Sequence, residues 1–187
     1  LCDLYVLDAV PLGIAAVQAK TPATALGPSA LSGRSIQELS FLAGRHLAYY
    51  RPEHYALVFY PSLPELTTLV VSAIGTELED VPLPESATRL RKALDAGLDE
   101  AEKQELAAAV ADLDARGGKM DLVAWIRAVE LTAHRAGLLL CGDLRVALRE
   151  VRREERRIAD LSVEDKRGDL LAFTAGEELG RLRERLG

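Results

Sequence analysis

The sequence predicts an α+β fold in which a small N-terminal antiparallel sheet is followed by a mainly helical core. Three observations favour it: short apolar runs separated by turn residues, helix-start signals at intervals after residue 33, and a composition rich in Ala and Leu with few aromatic residues. With 187 residues the chain is long enough to bury a core as a single domain spanning residues 1–187.

Three short apolar runs predict the strands. They are LYVLDAV from Leu4, GIAAVQA from Gly13 and TPATALGP from Thr21, and the turn sequences PLG and KTP separate them. Strands this short, punctuated by proline and glycine, are typical of a small antiparallel sheet.

Helix signals follow the strands. Capping boxes, in which a polar residue is followed three positions later by Glu, begin at Ser35, Ser62 and Asp99. A long apolar helix starts near Asp121 and ends at Gly142. The order of signals therefore places the helical core after the sheet.

Residues 76–118 form the least apolar part of the chain and contain Pro82, Pro84 and many charged residues. We expect this segment to be a helical hairpin inserted on the surface of the domain. Because the chain begins with Leu1 and not methionine, we also expect a covalently attached upstream region.

The charge pattern argues against nucleic acid as a partner. A net charge of −6 does not supply the basic field that phosphate binding needs. The run REVRREERR, from Arg149 to Arg157, interleaves glutamates with the arginines, which is typical of a solvated helix face with i,i+4 ion pairs.

The apolar runs and the cysteines bear on the location of the protein. No apolar run reaches the length of about 18 residues that a membrane span needs, so we expect none. Cys2 and Cys141 are too few for a disulfide framework. We therefore expect a reducing, cytoplasmic location.

The predicted helix over residues 36–50 is apolar in almost every direction, yet Arg45 and His46 lie side by side in its middle. Arg45 and Tyr49 share one face, while His46 lies about 100° away around the helix. Burying an unpaired guanidinium is very unfavourable, so Arg45 needs a carboxylate partner or access to water.

The helix over residues 121–141 is almost as apolar. Its polar residues Arg127, Glu130 and His134 fall at i, i+3 and i+7 and form one stripe. A local ion pair on a solvent-exposed edge of the helix is one explanation of this stripe, and a buried polar site is the other.

These two helices carry a resemblance to a known family. ELSFLAGRHLAYY (Glu38–Tyr50) and ELTAHRAGLLLCGD (Glu130–Asp143) resemble the two metal-binding helices of HExxH gluzincin metallopeptidases of the soluble, CAAX-protease-like or minigluzincin type. PLGIAAVQAKTPATALGPSALSG resembles the strand pair that precedes the first of these helices. The resemblance covers residues 4–60 and 119–187 and implies a gluzincin-like core.

The resemblance also implies that the zinc ligands have been replaced. Arg45 falls at the first histidine ligand and Tyr49 at the second, while His46 falls at the catalytic glutamate. Glu130 matches the third ligand, and His134 falls at the aspartate that follows it. An arginine cannot ligate zinc because its guanidinium stays protonated, and without the glutamate no general base activates water. We therefore expect no metal, no cofactor and no catalytic residue at this remnant site.

The histidines do not change this expectation. His46, His54 and His134 are the three histidines of the chain. A metal site built from them is conceivable, but Arg45 beside His46 would repel a cation.

The resulting hypothesis is a non-catalytic, metallopeptidase-like domain that acts as a structural or protein-interaction module with a protein or peptide partner. Arg45 would replace the charge of the zinc ion opposite Glu130, and Tyr49 and His134 would add hydrogen bonds. Two alternatives stay open: a hydrolase with an active site rebuilt around His46, Tyr49, Glu130 and His134, and a plain helical adaptor, which a leading sheet would argue against.

Overall fold

The structure, a computed structural model, describes residues 3–10, 13–19, 21–77, 83–154 and 159–186. Within them the strands are β1 (Asp3–Val6), β2 (Ile14–Val17) and β3 (Ala23–Leu26). The helices are α1 (Pro28–Leu31), α2 (Ile36–Ala48), α3 (Ala56–Phe59), α4 (Leu63–Glu77), α5 (Glu85–Gly97), α6 (Glu100–Ala115), α7 (Leu122–Cys141), α8 (Leu144–Arg153), α9 (Val163–Ala175) and α10 (Glu177–Leu186). A small sheet followed by helices confirms the α+β prediction.

The three strands form one mixed sheet with the order β1-β3-β2. β2 and β3, which are neighbours in sequence, pair antiparallel, and Ala15 lies opposite Ala25. β1 pairs parallel to β3 on its other edge, with Tyr5 opposite Ala25. This corrects the expected antiparallel sheet. The apolar runs locate the strands, but they do not encode which edge of β3 the first strand takes.

The chain divides into two compact units, Leu1–Phe59 with Trp125–Gly187, and Tyr60–Ala124. In the second unit α4 packs against α5 and, less extensively, against α6. The hairpin predicted over residues 76–118 falls in this unit, where α5 and α6 are its helices; residues 78–82 lie outside the described residues. The sheet and the predicted site residues belong to the first unit.

Five helices of the first unit, α2 and α7 to α10, share one hydrophobic core. Its buried members are Phe41, Leu42, Leu138, Cys141, Ala147, Val151, Leu170, Phe173 and Leu179. Glycines let α2 and α7 approach closely: a Cβ on Gly44 would lie 2.6 Å from the carbonyl oxygen of Ala136, and one on Gly137 would lie 2.7 Å from that of Phe41. A side chain at either position would push the helices apart, so these glycines keep the polar residues of α2 and α7 within reach of each other.

Local sequence sets the ends of the helices that carry these residues. Ser35 and Glu38 exchange hydrogen bonds in a capping box that begins α2. Gly142 follows α7 with φ of +69°, a conformation that favours glycine, and so ends the helix. Asp143 then caps α8 by accepting hydrogen bonds from the backbone of Arg145 and Val146. The chain therefore turns directly from α7 into α8.

Candidate functional site

Polar side chains from four helices meet in the interior of the first unit. α2 and its C-terminal cap contribute two of them, α7 two, the C-terminal cap of α8 one, and α9 one. We call this group the ion cluster; its members are Arg45, Tyr49, Glu130, His134, Glu154 and Lys166. Glu130, His134 and Lys166 are at most 2% exposed, so the centre of the ion cluster is shielded from water.

The predicted ion pair between Arg45 and Glu130 is present. Arg45 Nη2 donates a hydrogen bond to Glu130 Oε1 at 3.1 Å. Tyr49, four residues further on at the C-terminal cap of α2, donates its hydroxyl hydrogen to Glu130 Oε2. Both carboxylate oxygens of Glu130 are thus engaged by α2, which is the arrangement expected if a guanidinium supplies the positive charge at this point.

A second cation, the buried ammonium group of Lys166, joins the two carboxylates of the ion cluster. Its Nζ donates to Glu130 Oε1 at 2.9 Å and to Glu154 Oε2 at 2.8 Å. The lysine side chain is 2% exposed, and a lysine is almost never buried to this extent unless it is paired. Arg45 and Lys166 therefore place two cations against the carboxylates of Glu130 and Glu154.

Glu154 also lies beside Arg45. Arg45 Nε is 2.9 Å from Glu154 Oε1, which makes an ion pair by distance. The N–H of this nitrogen does not point at an acceptor among the described residues with hydrogen-bond geometry. The contact is therefore electrostatic and not a hydrogen bond, and the guanidinium is directed chiefly at Glu130.

His134 connects α7 to Glu154. Its Nδ1 faces the backbone carbonyl of Glu130 at 2.7 Å, and its Nε2 faces the two carboxylate oxygens of Glu154 at 2.9 and 3.0 Å. A carbonyl oxygen only accepts, so Nδ1 carries a hydrogen. Nε2 lies against the carboxylate of Glu154, so the ring links α7 to the residue that follows α8.

The surroundings hold both carboxylates in the ionised form. Burial alone would raise the pKa of Glu130, but the charges of Arg45, His134 and Lys166 and the Tyr49 hydroxyl lower it well below its usual range. Burial likewise opposes ionisation of Glu154, yet hydrogen bonding from His134 and the nearby cations leave its pKa lowered. Burial raises the pKa of Tyr49, so this residue stays a phenol and a donor.

His46 lies outside the ion cluster. Its Nε2 is 2.9 Å from Thr24 Oγ1 on β3, and the same hydroxyl lies 2.9 Å from Tyr50 Oη. Burial, together with the charge of Arg45, lowers the pKa of His46 to about 4. The hydrolase alternative requires this imidazole to face Glu130 and His134, but it faces the sheet.

His54 is likewise separate from the ion cluster. Its Nδ1 lies 2.8 Å from the carbonyl oxygen of Ala48, where it contacts the C-terminal end of α2. The three histidines therefore have three different partners, and they do not form the metal site that was considered from the sequence.

Sequence reasoning found Arg45, Tyr49, Glu130 and His134, but it missed Glu154 and Lys166. Glu154 belongs to REVRREERR, which we interpreted as a solvated face; its side chain is 6% exposed, and that of Glu150 in the same run is 3% exposed. Arg149 and Arg153 are half exposed, as predicted for such a face. Residues 155–157 lie outside the described residues.

The zinc site that the resemblance implies does not fit the residues present. Arg45 and Tyr49 stand at two of its three ligand positions, and both donate hydrogen bonds to the third, Glu130. A guanidinium cannot ligate zinc, and a phenol that stays protonated is a poor substitute for imidazole. No step of peptide hydrolysis through that metal is consistent with this donor set.

Comparison of the chain with protein-family models, with curated proteins and with solved structures gives no match. Among the described residues, every helix is too short or too polar to cross a bilayer. The function is therefore argued from the geometry of the ion cluster.

Proposed function

We propose that this chain is a non-catalytic, metallopeptidase-like domain that acts as a structural or protein-interaction module. The observation that carries the proposal is the pairing of Glu130 with two cations, Arg45 at 3.1 Å and Lys166 at 2.9 Å. In a zinc enzyme of the type that the sequence resembles, this glutamate would face a metal ion. Here protein side chains supply the compensating charge.

The direction of the pKa shifts supports a structural role. A general base works best when its pKa lies near the working pH. The pKa values of Glu130 and Glu154 are displaced away from neutrality, because buried cations stabilise both anions. Such carboxylates hold elements together through ion pairs but are weak acceptors of a substrate proton.

Two features favour this proposal over the alternatives. The turn of His46 toward Thr24 removes one of the four residues on which a rebuilt hydrolase would depend. The mixed sheet at the start of the chain argues against a plain helical adaptor. A protein or peptide partner and a cytoplasmic location are parts of the same proposal, and the buried free thiol of Cys141 is compatible with a reducing compartment.

A double-mutant cycle on stability tests the proposal. Arg45→Met removes from Glu130 a cation that compensates its charge, and Glu130→Gln leaves Arg45 without its hydrogen-bonded carboxylate. Each variant should therefore lower the free energy of unfolding by about 3–5 kcal/mol. The double variant removes both partners of this pair and keeps Lys166 opposite Glu154. It should therefore lose less stability than the sum of the two single variants, with a coupling energy of about 1–3 kcal/mol.

The cycle separates a structural cluster from a catalytic one. Residues retained for catalysis are often unfavourable for stability, so their replacement tends to leave stability unchanged or to raise it. Single variants as stable as the wild type, or additive single effects, would contradict the proposal. Arg167→Met serves as a control, because Arg167 pairs with the exposed Glu164 and its loss should cost under about 1 kcal/mol.

A further inference from the structure

Three members of the ion cluster have the arrangement of a metal site other than the one that the sequence resembles. One ligand atom each from Glu130, His134 and Glu154 lies within 4.8 Å of the other two. Glu130 and His134 are four residues apart on α7, so they share a face of the helix. Only Glu130 belongs to both ligand sets. Two carboxylates and an imidazole are ligands that a Zn²⁺ ion accepts.

The place between these ligands already holds a cation. Lys166 Nζ lies 2.9 Å from Glu130 Oε1 and 2.8 Å from Glu154 Oε2. Arg45 contacts the same carboxylates from α2. A carboxylate oxygen has two lone pairs, so Arg45 can keep its contacts when another cation replaces the ammonium.

The orientation of His134 is that of a metal ligand. A ligating histidine almost always donates its second ring N–H to a carbonyl or a carboxylate, which fixes the ring. His134 Nδ1 faces the backbone carbonyl of Glu130 at 2.7 Å in this way. Nε2 is thereby held toward Glu154, at 2.9 Å from Oε1.

We propose that Glu130, His134 and Glu154 form a binding site for a zinc-class divalent cation, and that the ammonium group of Lys166 keeps this site closed. This deepens the proposed function and rests on it in one respect, that Lys166 is the resident cation of the ion cluster. By this proposal, a single lysine of α9 prevents the chain from binding a metal ion.

The variant Lys166→Met tests the inference. Methionine keeps an apolar stem, but it is one heavy atom shorter than lysine and ends before the position of Nζ. After incubation with ZnCl₂ and dialysis, the purified variant should retain about one zinc ion per chain. With Co²⁺ as the probe, visible absorption bands should report nitrogen and oxygen ligands in a low-coordinate site.

Two control variants test whether zinc retention requires the imidazole ligand and whether the loss of any positive charge on α9 is enough to cause it. Lys166→Met/His134→Gln opens the same space but removes the imidazole, and it should retain no zinc. Arg167→Met removes a positive charge from the neighbouring position of α9 without touching the ion cluster, and it should also stay empty.

Loss of Lys166 could unfold the chain, because Glu130 and Glu154 would then repel each other. In that case zinc should restore the helical circular dichroism of Lys166→Met, since the ion binds the folded state. A Lys166→Met variant that is folded but empty, or that zinc does not refold, overturns this inference and leaves the proposed function standing. Stoichiometric zinc in the wild type overturns both, since Lys166 would then not close the site.

Discussion

The close crossing of α2 and α7 makes a sharp prediction about Gly137. In Gly137→Ala the new Cβ would lie 2.7 Å from the carbonyl oxygen of Phe41 and 2.8 Å from its ring carbon Cδ2, whereas ordinary contacts begin at 3.4 Å. Phe41 is fully buried in the core, so its ring cannot turn away. The helices must separate by several tenths of an ångström, and the contacts of Arg45 and Tyr49 with Glu130 must lengthen with them.

The magnitude follows from two opposing effects. Overpacking a core costs about 1–3 kcal/mol, and a clash with backbone belongs at the upper end of that range. Alanine in a helix interior recovers about 1 kcal/mol relative to glycine. Gly137→Ala should therefore lower the free energy of unfolding by about 2 kcal/mol.

Gly168 provides a matched control. It also lies within a helix, α9, but a Cβ there would meet no atom within 4 Å. Gly168→Ala should raise stability by up to about 1 kcal/mol, so the two variants should differ by about 3 kcal/mol and shift the melting temperature in opposite directions.

Urea unfolding followed by the fluorescence of Trp125 measures this difference. Trp125 is the single tryptophan and belongs to the same unit as the ion cluster. If Gly137→Ala were as stable as Gly168→Ala, the glycine contact would not set the approach of the helices, and the account of how the ion cluster is assembled would be refuted.

Two further predictions concern pH. His46 is buried with a pKa lowered from 6.5 to about 4, so the unfolded chain binds its proton first and stability falls as the pH drops through this interval, by up to about 3 kcal/mol. His46→Gln should remove that part of the pH dependence of the melting temperature, and an unchanged profile would contradict the assigned environment. For Glu130 and Glu154 the pKa is lowered from 4.5, so their stabilisation is complete above that value and is lost as the pH falls further. An acid titration followed by circular dichroism should be less steep for Arg45→Met/Glu130→Gln than for the wild type, and equal steepness would contradict the ionised pairs.

The sequence was informative where the determinants are local. The three strands lie within the three predicted apolar runs, and the capping box of Ser35 and Glu38 begins α2 at the predicted residue. Pro11, Leu12 and Lys20 of the predicted turn sequences lie outside the described residues. One non-local contact was also predicted. A guanidinium in the middle of an apolar helix requires a carboxylate or access to water, and the resemblance to the metal-binding helices indicated Glu130 as that carboxylate.

The remaining contacts depend on how helices pack, which local patterns do not encode. Lys166 follows the capping residue Ser162 in the polar stretch SVEDKRGD, where a lysine normally faces water. Its burial follows from the docking of α9 against α8, which brings it to Glu154. His46 shows the same limit: its position on the helix was predicted, but its partner Thr24 comes from the strand that α2 happens to face.

The central claim is that Arg45 and Lys166 supply the positive charge that a metal ion would otherwise provide at Glu130. The most direct test is the zinc content of the purified wild-type chain after incubation with ZnCl₂ and dialysis, with Glu130→Gln alongside. The account predicts that neither protein retains zinc. One zinc ion per wild-type chain, lost in Glu130→Gln, would contradict it and would make Glu130, His134 and Glu154 the first residues to test for catalysis.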